Sequence, residues 1–337
     1  MKNDMKNIRL DKNTAKDLGR ALTGEYSFVL SFIVLVIIGA AINPNFFTWG
    51  NISNMFVQSC MVGIIAMGMT MVIGAGMIDI SVGSQVALIG GFGIQVLNAT
   101  HSVWLMLLFC VVSGMLIGLL NGVMVTKGGM PPMVATLATQ SAARAIINYY
   151  GAGGPFTIPS GGEDYNNIRK IASGGINLGP DFKIPYLMLI FIAAVIIFDI
   201  IMKKTSLGKH VFAVGSNEKS ARLSGINVHR TKILTYMITG SLCGVAALIY
   251  ASRMTAIAAA SSAVGWEMDV IAAVAIGGTS MNGGKGKIMG TFLGVLMFRI
   301  ISNILTVADI SSYLNGAISA VIIVLAVLMQ NGQNKRR

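Results

Sequence analysis

The side chains best suited to chemistry in this chain lie where glycines and small polar groups interrupt an apolar stretch. Residues 74–85 read GAGMIDISVGSQ and place Asp79 and Gln85 among glycines and serines. A carboxylate and an amide in such a segment could orient a neutral polar solute or gate one mouth of a path. Asp79 could equally cap a helix, because a carboxylate accepts hydrogen bonds from the free amides of a first turn. Asp269 has the same two interpretations at the opposite mouth.

Other polar side chains fall inside apolar segments, where they are costly and usually have a purpose. Arg144 and Arg299 could line a path, pair with an acid, or extend to the membrane interface. The acids considered as partners are Glu267 and Asp309. A further group of amides could bind a hydroxylated solute or join neighbouring helices. These amides are Asn121, Gln140, Asn148 and Asn303.

The most polar internal segment, residues 203–232, carries seven Lys or Arg and one acidic residue between two apolar stretches. Its centre predicts one short helix, because Asn217 can cap the first turn and Gly225 can take the left-handed stop. A helix of about seven residues is marginal alone and must pack against something. We therefore predict that it docks on a partner protein. The predicted docking residues are Asn217, Glu218, Ser220, Ala221, Arg222, Leu223, Gly225 and Ile226.

Motifs for catalysis or nucleotide binding are missing from the sequence. Cys60, Cys110 and Cys243 lie in apolar segments, and no CxxC or Cys/His cluster suggests a disulfide or a metal site. The run TSMNGGKGK at 279–287 lacks the spacing of a phosphate-binding loop and the strand before it. The sequence therefore predicts no catalytic, cofactor or metal site. It predicts a protein that takes its energy from a partner.

Composition indicates that membrane helices position these residues. Of 337 residues, 54% are hydrophobic and 11% are charged, whereas soluble domains carry about 25% charge. The net charge of +12 does not indicate nucleic-acid binding, because the basic residues flank apolar stretches without aromatic interleaving. The first apolar run is predicted to be an uncleaved span, since no small-residue cleavage site follows it.

Apolar stretches of about 20 residues, the length that crosses a bilayer, predict an all-α, polytopic membrane protein with about ten transmembrane helices. The predicted spans are 27–43, 54–74, 80–98, 103–125, 132–150, 185–202, 232–252, 266–279, 287–305 and 312–330. With the N-terminus inside, nineteen Lys and Arg lie on the inner side and four lie outside. Because basic residues concentrate in cytoplasmic loops, both termini are predicted to be cytoplasmic.

The predicted organisation is one transmembrane domain, 27–330, between a cytoplasmic segment, 1–26, and a cytoplasmic tail, 331–337. An external loop is predicted at 151–184 and a cytoplasmic coupling loop at 203–231. Spans 2–5 and 7–10 share features in opposite orientations, since an acid precedes a glycine pair in both halves. Inverted repeats with a path at their interface are a recurrent transporter plan.

Several stretches together resemble one family over nearly the whole chain and in the right order. The stretches are Gly76–Ser84, Asn121–Lys127, Pro131–Thr139, Ala213–Glu218, Ala221–Ile226 and Asp269–Gly286. In these stretches the chain resembles the membrane subunits of binding-protein-dependent ABC importers for monosaccharides, the ribose, xylose, galactose and autoinducer group. One departure is that Arg144 precedes Ala145, where the family usually has an Arg-Gly pair.

This resemblance implies a permease with inverted halves, two of which pair around a central path as a homodimer or with a paralogue. It implies a cytoplasmic ABC ATPase below, an extracytoplasmic sugar-binding protein above, and membrane lipid around the helices. In that family the loop corresponding to Asn217–Ile226 docks on the ATPase.

Residues and resemblance together predict a permease subunit in the cytoplasmic membrane that imports a ribose-like monosaccharide, while a separate protein hydrolyses ATP. The predicted path-lining residues are Asp79, Gln85, Asn121, Arg144 and Asn303. The alternative is an ion-coupled secondary transporter of a small polar solute, which needs carboxylates within the membrane to bind the ion. A membrane enzyme is a third alternative, and it lacks a catalytic constellation.

Overall fold

The computed structural model describes residues 27–179 and 182–307, which form a mostly helical body. This agrees with the predicted all-α class. The helices are α1 Ser27–Ile42, α2 Trp49–Gly74, α3 Val82–Thr100, α4 Val103–Thr126, α5 Pro132–Gly151, α6 Glu163–Ser173, α7 Tyr186–Lys204, α8 Ser206–Ser216, α9 Glu218–Leu223, α10 Val228–Met254, α11 Trp266–Ile276 and α12 Ile288–Val307.

Short strands accompany the helices in the region predicted to be an external loop and just after α10. Strand β1, Pro155–Thr157, pairs antiparallel with β4, Ala256–Ala258. Strand β2, Gly175–Asn177, pairs antiparallel with β3, Lys183–Pro185. Together with α6, these pairs give the described part of the segment 151–184 a defined structure, which its Gly, Pro and Asn content does not predict.

Helix α2 forms the centre of the core. All its residues from Ser59 to Gly74 are buried, because neighbouring helices α7, α10, α11 and α12 surround it. Thr48 caps its first turn by accepting a hydrogen bond from the amide of Asn51. A helix that is buried on all sides needs no polar face, which explains its almost uniformly apolar sequence.

Glycines bring α4 and α10 into direct backbone contact. A side chain at Gly114 would collide with the carbonyl of Gly240, and one at Gly240 would collide with that of Gly114. Gly118 lies in the same way against the backbone of Tyr236. Small residues at four-residue intervals let membrane helices approach closely. This crossing holds α10 beside α4, and α10 also contacts α2 and α3.

Six helices in the described residues are long and apolar enough to cross a membrane: α2, α3, α4, α7, α10 and α12. Helix α5 has sufficient length but not the apolar composition. The predicted span at 266–279 is shorter than expected, because α11 has only 11 residues and ends at Ile276, before Gly277. The predicted span at 312–330 lies outside the described residues. The count of ten spans therefore stays a prediction.

The helical body has two ends, the loop face and the α9 face. At the loop face, Trp49 Nε1 donates a hydrogen bond to the carbonyl of Lys183 at 2.7 Å. At the α9 face, the amide of Gly284 donates to the carbonyl of Gly74 at 2.9 Å. Helix α2 runs from the loop face to the α9 face, and α10 returns. Which face is cytoplasmic stays a prediction.

Candidate functional site: a buried polar cluster and an exposed coupling helix

Asp79 lies in the non-helical connection between α2 and α3, where its side chain has no solvent exposure. Its Oδ1 accepts hydrogen bonds from the amide of Ser81, at 2.9 Å, and from the Ser81 hydroxyl. Ser81 occupies the N-cap position of α3. The carboxylate therefore satisfies one amide at a helix start, which is part of what the capping interpretation predicts.

Gln85, Asn121 and Thr139 complete a hydrogen-bonded group around this carboxylate. Gln85 Nε2 donates to Ser81 Oγ at 2.8 Å, and Asn121 Nδ2 donates to Ser81 Oγ at 3.1 Å and to Asp79 Oδ2 at 3.4 Å. The Thr139 hydroxyl donates to Asn121 Oδ1. We call Asp79, Ser81, Gln85, Asn121 and Thr139 the Asp79 cluster.

The Asp79 cluster joins four parts of the chain and is closed to water. Its members come from the α2–α3 connection, α3, α4 and α5, and all are buried. Helix α10 adds a nearby contact, because the Tyr236 hydroxyl donates to the carbonyl of Ile78 at 3.2 Å. Gln85 Oε1 is buried without a hydrogen-bond partner among the described residues. The cluster can therefore tie helices together and offers one free acceptor.

Two of the predicted path-lining residues lie away from this cluster. Arg144 Nη1 donates to the carbonyls of Ala259 and Ser262, at 2.9 and 3.0 Å. Asn303 Nδ2 donates to Asn51 Oδ1 at 3.0 Å, near the start of α2. The structure thus brings together Asp79, Gln85 and Asn121, but not all five predicted residues.

The predicted short helix is present as α9, and its ends have the expected caps. Asn217 Oδ1 accepts from the amide of Ser220 at 2.9 Å. After the helix, the amide of Ile226 donates to the carbonyl of Ala221 at 3.1 Å, and Gly225 has φ of 80°. A left-handed glycine with this hydrogen bond is the Schellman stop.

One side of α9 is anchored and the other is free. Ala221 is buried against Val214 and Val228, and Glu218 Oε2 lies 2.7 Å from Lys232 Nζ. The hydrogen bond from Lys232 lowers the pKa of the Glu218 carboxyl, and the nearby positive charges add to the effect. On the outer side Leu223 is 90% exposed. A single exposed leucine is common on protein surfaces, so the docking role of this side of α9 stays a prediction.

The polar segment before α9 contains a second helix, α8, which the sequence analysis treated as part of a loop. Thr205 caps it by accepting from the amide of Gly208 at 3.3 Å. At its end Gly215 packs directly on the backbone of Gly74 and Gly284. The conformation of α8 thereby places α9 next to the end of α2 and the connection between α11 and α12. We call Gly74, Gly76, Gly215, Gly283 and Gly284 the glycine junction.

Several residues that take part in these sites are not among those predicted from the sequence. Ser81 and Thr139 lie within the stretches that carry the family resemblance, and Ser81 also follows Asp79 by two residues; these were the available signals. The members of the glycine junction are separated in sequence by up to about two hundred residues and had no local signal that could join them. Their role depends on tertiary contacts.

Comparisons with known proteins agree with this architecture. A family profile described as "Branched-chain amino acid transport system / permease component" matches residues 51–327. The chain is 37% identical to the ribose import permease protein RbsC of Haemophilus influenzae, over 98% of both chains. It is 36% identical to RbsC of Bacillus subtilis, over 89% of this chain and 90% of that protein. It is 32% identical to the L-arabinose transport system permease protein AraH of Escherichia coli, over 93% and 92%.

No solved structure matches the chain. The family match nevertheless covers most of the sequence, including both the Asp79 cluster and α9. The relatives match from end to end and not only in the apolar helices. The chain therefore belongs to the family of transport-system permease components.

Proposed function

We propose that this permease imports a ribose-like monosaccharide, with energy from a cytoplasmic ATPase and cargo from an extracytoplasmic sugar-binding protein. The family profile is described by branched-chain amino acid transport, whereas the end-to-end relatives are named for ribose and L-arabinose. The profile describes a wider group of transport proteins, whereas the relatives that match along the whole chain are named for sugars. We therefore favour a sugar as the cargo.

The observation that carries the coupling role is the position of α9. Its inner side is fixed by Ala221 and by the ion pair between Glu218 and Lys232. Its outer side presents Arg222 and Leu223 to solvent. A rigid helix with an exposed apolar residue beside a cation gives a partner both an anchor and a charge to recognise. On this proposal the α9 face is cytoplasmic and meets the ATPase.

The glycine junction supports a route from α9 to the Asp79 cluster. Gly215 precedes the cap of α9 by two residues and touches the backbone of Gly74, and Gly74 precedes Asp79 by five residues. Because the backbones touch directly, no flexible side chain lies between them that could absorb a movement. A displacement of α9 would therefore move the α2–α3 connection, and with it Asp79.

The exposed face of α5 supports pairing with a second permease copy. Beside larger apolar side chains such as Leu137 and Ile146, it exposes small and polar ones: Ala138, Ser141, Ala142, Ala145 and Asn148. Small and polar side chains gain little from contact with lipid, whereas they suit close packing of helices or the lining of a polar path. We propose that two copies meet near this face and that the sugar passes between them.

The coupling role is tested with Arg222→Glu. Reversing this exposed charge is expected to weaken ATPase association about tenfold or more, because like charges at an interface oppose docking. Co-purification with a tagged ATPase and sugar uptake into proteoliposomes measure the two effects. Arg169→Glu on α6 is the control, since it makes the same charge change at the loop face. Normal association and uptake with Arg222→Glu would refute the docking role.

A second candidate, ion-coupled transport, is favoured by the complete burial of Asp79. A carboxylate inside a membrane protein is a common ion-binding group, and Gln85 Oε1 adds a free acceptor beside it. Uptake that continues without any ATPase, but stops when an ionophore removes the ion gradient, would support this candidate. Uptake that requires the ATPase and ignores the ionophore would reject it.

A further inference from the structure

A separate cavity opens between the loop-face halves of α2, α10 and α12 and the start of α11. Its volume is about 320 Å³, and its polar and aromatic lining consists of Gln58, Tyr250, Arg253, Ser261, Trp266 and Arg299. This volume lies at the lower end of the range of ligand pockets, about 300–1,000 Å³. None of these residues belongs to the Asp79 cluster or to α9, so neither proposed role accounts for the cavity.

The cavity wall offers hydrogen-bond donors and positive charge. Arg299 donates to Gln58 Oε1 and to the Gln58 carbonyl, at 3.1 and 3.3 Å, while its Nε is buried without a described partner. Within residues 27–179 and 182–307, Arg253 has no hydrogen bond or ion pair. Because Gln58 Oε1 is occupied, the free groups of Gln58 and of both arginines are donors.

The charges of the described residues around the cavity leave a net positive site. Within residues 27–179 and 182–307, no carboxylate lines it. Asp269 lies close enough to interact electrostatically with Arg299, and it offsets one of the two guanidinium charges. The charge of Arg253 remains. A donor-rich, cationic wall is suited to a phosphate, because guanidinium groups match the geometry of phosphate oxygens.

The rim of the cavity is apolar. Met254 and Val264 line it and are 48% and 62% exposed. Trp266 and Tyr250 stand edge to face, with ring centroids 5.3 Å apart. Aromatic side chains of this kind concentrate where hydrocarbon meets polar headgroups. The cavity therefore combines a cationic interior with a hydrocarbon-compatible border.

We propose that this cavity binds the phosphate group of an anionic phospholipid, with the acyl chains lying on Met254 and Val264. Arg253 and Arg299 hold the phosphate oxygens, and Trp266 lies beside the glycerol region. The proposal is independent of the transported cargo and of the coupling role of α9. It assigns a lipid site to the loop face of the permease.

Fluorescence quenching of Trp266 tests this site. The chain has three tryptophans, so Trp49→Phe and Trp104→Phe leave Trp266 as the single reporter. The full-length protein is placed in nanodiscs of zwitterionic lipid with increasing fractions of anionic or zwitterionic lipid carrying brominated acyl chains. The anionic brominated lipid is expected to quench Trp266 at a lower fraction than the zwitterionic one.

Arg253→Gln in this background is expected to weaken the response to anionic lipid about tenfold or more, because it removes a charge-assisted contact. Arg169→Gln, the same change at an exposed position on α6, should leave the response unaltered. Equal quenching by both lipids, or an unchanged response in Arg253→Gln, would overturn the proposal. A change of Trp266 emission on adding inorganic phosphate, without quenching by the anionic brominated lipid, would also overturn the proposal, since the site would then bind a soluble anion.

Discussion

The carboxylate of Asp79 is shielded from water, so the protein itself must supply every donor that it needs. Ser81 and Asn121 supply these donors. Sequence reasoning identified Asp79, Gln85 and Asn121 as candidates because polar groups are rare inside apolar segments. It could not place them together, because Asn121 follows Asp79 by forty-two residues and only the packing of α4 against α3 brings them into contact.

Asp79→Ala is expected to destabilise the permease. The substitution leaves the backbone amide and the hydroxyl of Ser81 without the acceptor that they share, and each buried unpaired group costs about 1–3 kcal/mol. Asp79→Asn should cost less, because its carbonyl oxygen can still accept from Ser81. Thermal unfolding of the purified variants in one detergent measures the order. An unfolding temperature for Asp79→Ala equal to that of the wild type would mean that the cluster carries no stability.

Glu218 gives a pH-dependent prediction. The hydrogen bond from Lys232 lowers the pKa of its carboxyl. The stabilisation that the ionised carboxylate gives to the folded position of α9 is therefore complete above the ordinary carboxyl pKa of about 4.3. It is lost as the pH falls through the lowered value. Glu218→Gln should weaken ATPase association by the same factor from about pH 8 to about pH 6, because the wild-type carboxyl stays ionised in that range. A factor that shrinks steadily over this range would contradict the lowered pKa.

At the scale of elements, α9 shows what a local pattern can predict. A cap residue, a short turn and a terminal glycine all lie within ten residues, so the sequence alone predicts both ends. Helix α8 is not predicted in the same way, because its Lys209 and His210 follow two further lysines and the run resembles a solvated loop. Helix α11 is shorter than predicted because Gly265 and Gly277 delimit it, whereas hydropathy continues past the glycine pair.

The glycine junction predicts an uncoupled variant. Gly215→Ala would place a methyl group against the carbonyl of Gly74 and the amide of Gly284, which forces α8 away from α2. We expect the ATPase still to bind α9 and to hydrolyse ATP, while sugar uptake falls sharply. ATPase activity and uptake are measured on the same proteoliposomes.

Gly50→Ala is the matched control for this variant, because a methyl group at Gly50 meets open space. It should leave both activities unaltered. If Gly215→Ala transports normally while Arg222→Glu does not, the docking role of α9 stands and the route through the junction is wrong. Loss of ATPase binding in Gly215→Ala would instead show that the junction only positions α9.

For the whole molecule, family membership confirms the prediction of a transport subunit that is not itself an enzyme and that lies in the membrane with several spans. Composition was sufficient for the membrane location because a bilayer constrains a whole sequence, whereas the transport role was implied by the family resemblance. Contacts between distant glycines and the cavity around Arg253 could not be predicted, since both depend on which helix faces meet. Periodicity is weak in helices that are buried on every side, such as α2.

Pairing of two copies through α5 is tested by cross-linking. The native cysteines, Cys60, Cys110 and Cys243, are all buried, so Ser141→Cys introduces a single exposed thiol. We expect oxidation to join two copies through this position, because the small side chains of α5 allow its backbone to approach a partner closely. Ile196→Cys, on the exposed side of α7, should remain monomeric on a denaturing gel. Equal cross-linking at both positions would indicate random collision in the membrane, and cross-linking at Ile196→Cys alone would place the partner on α7.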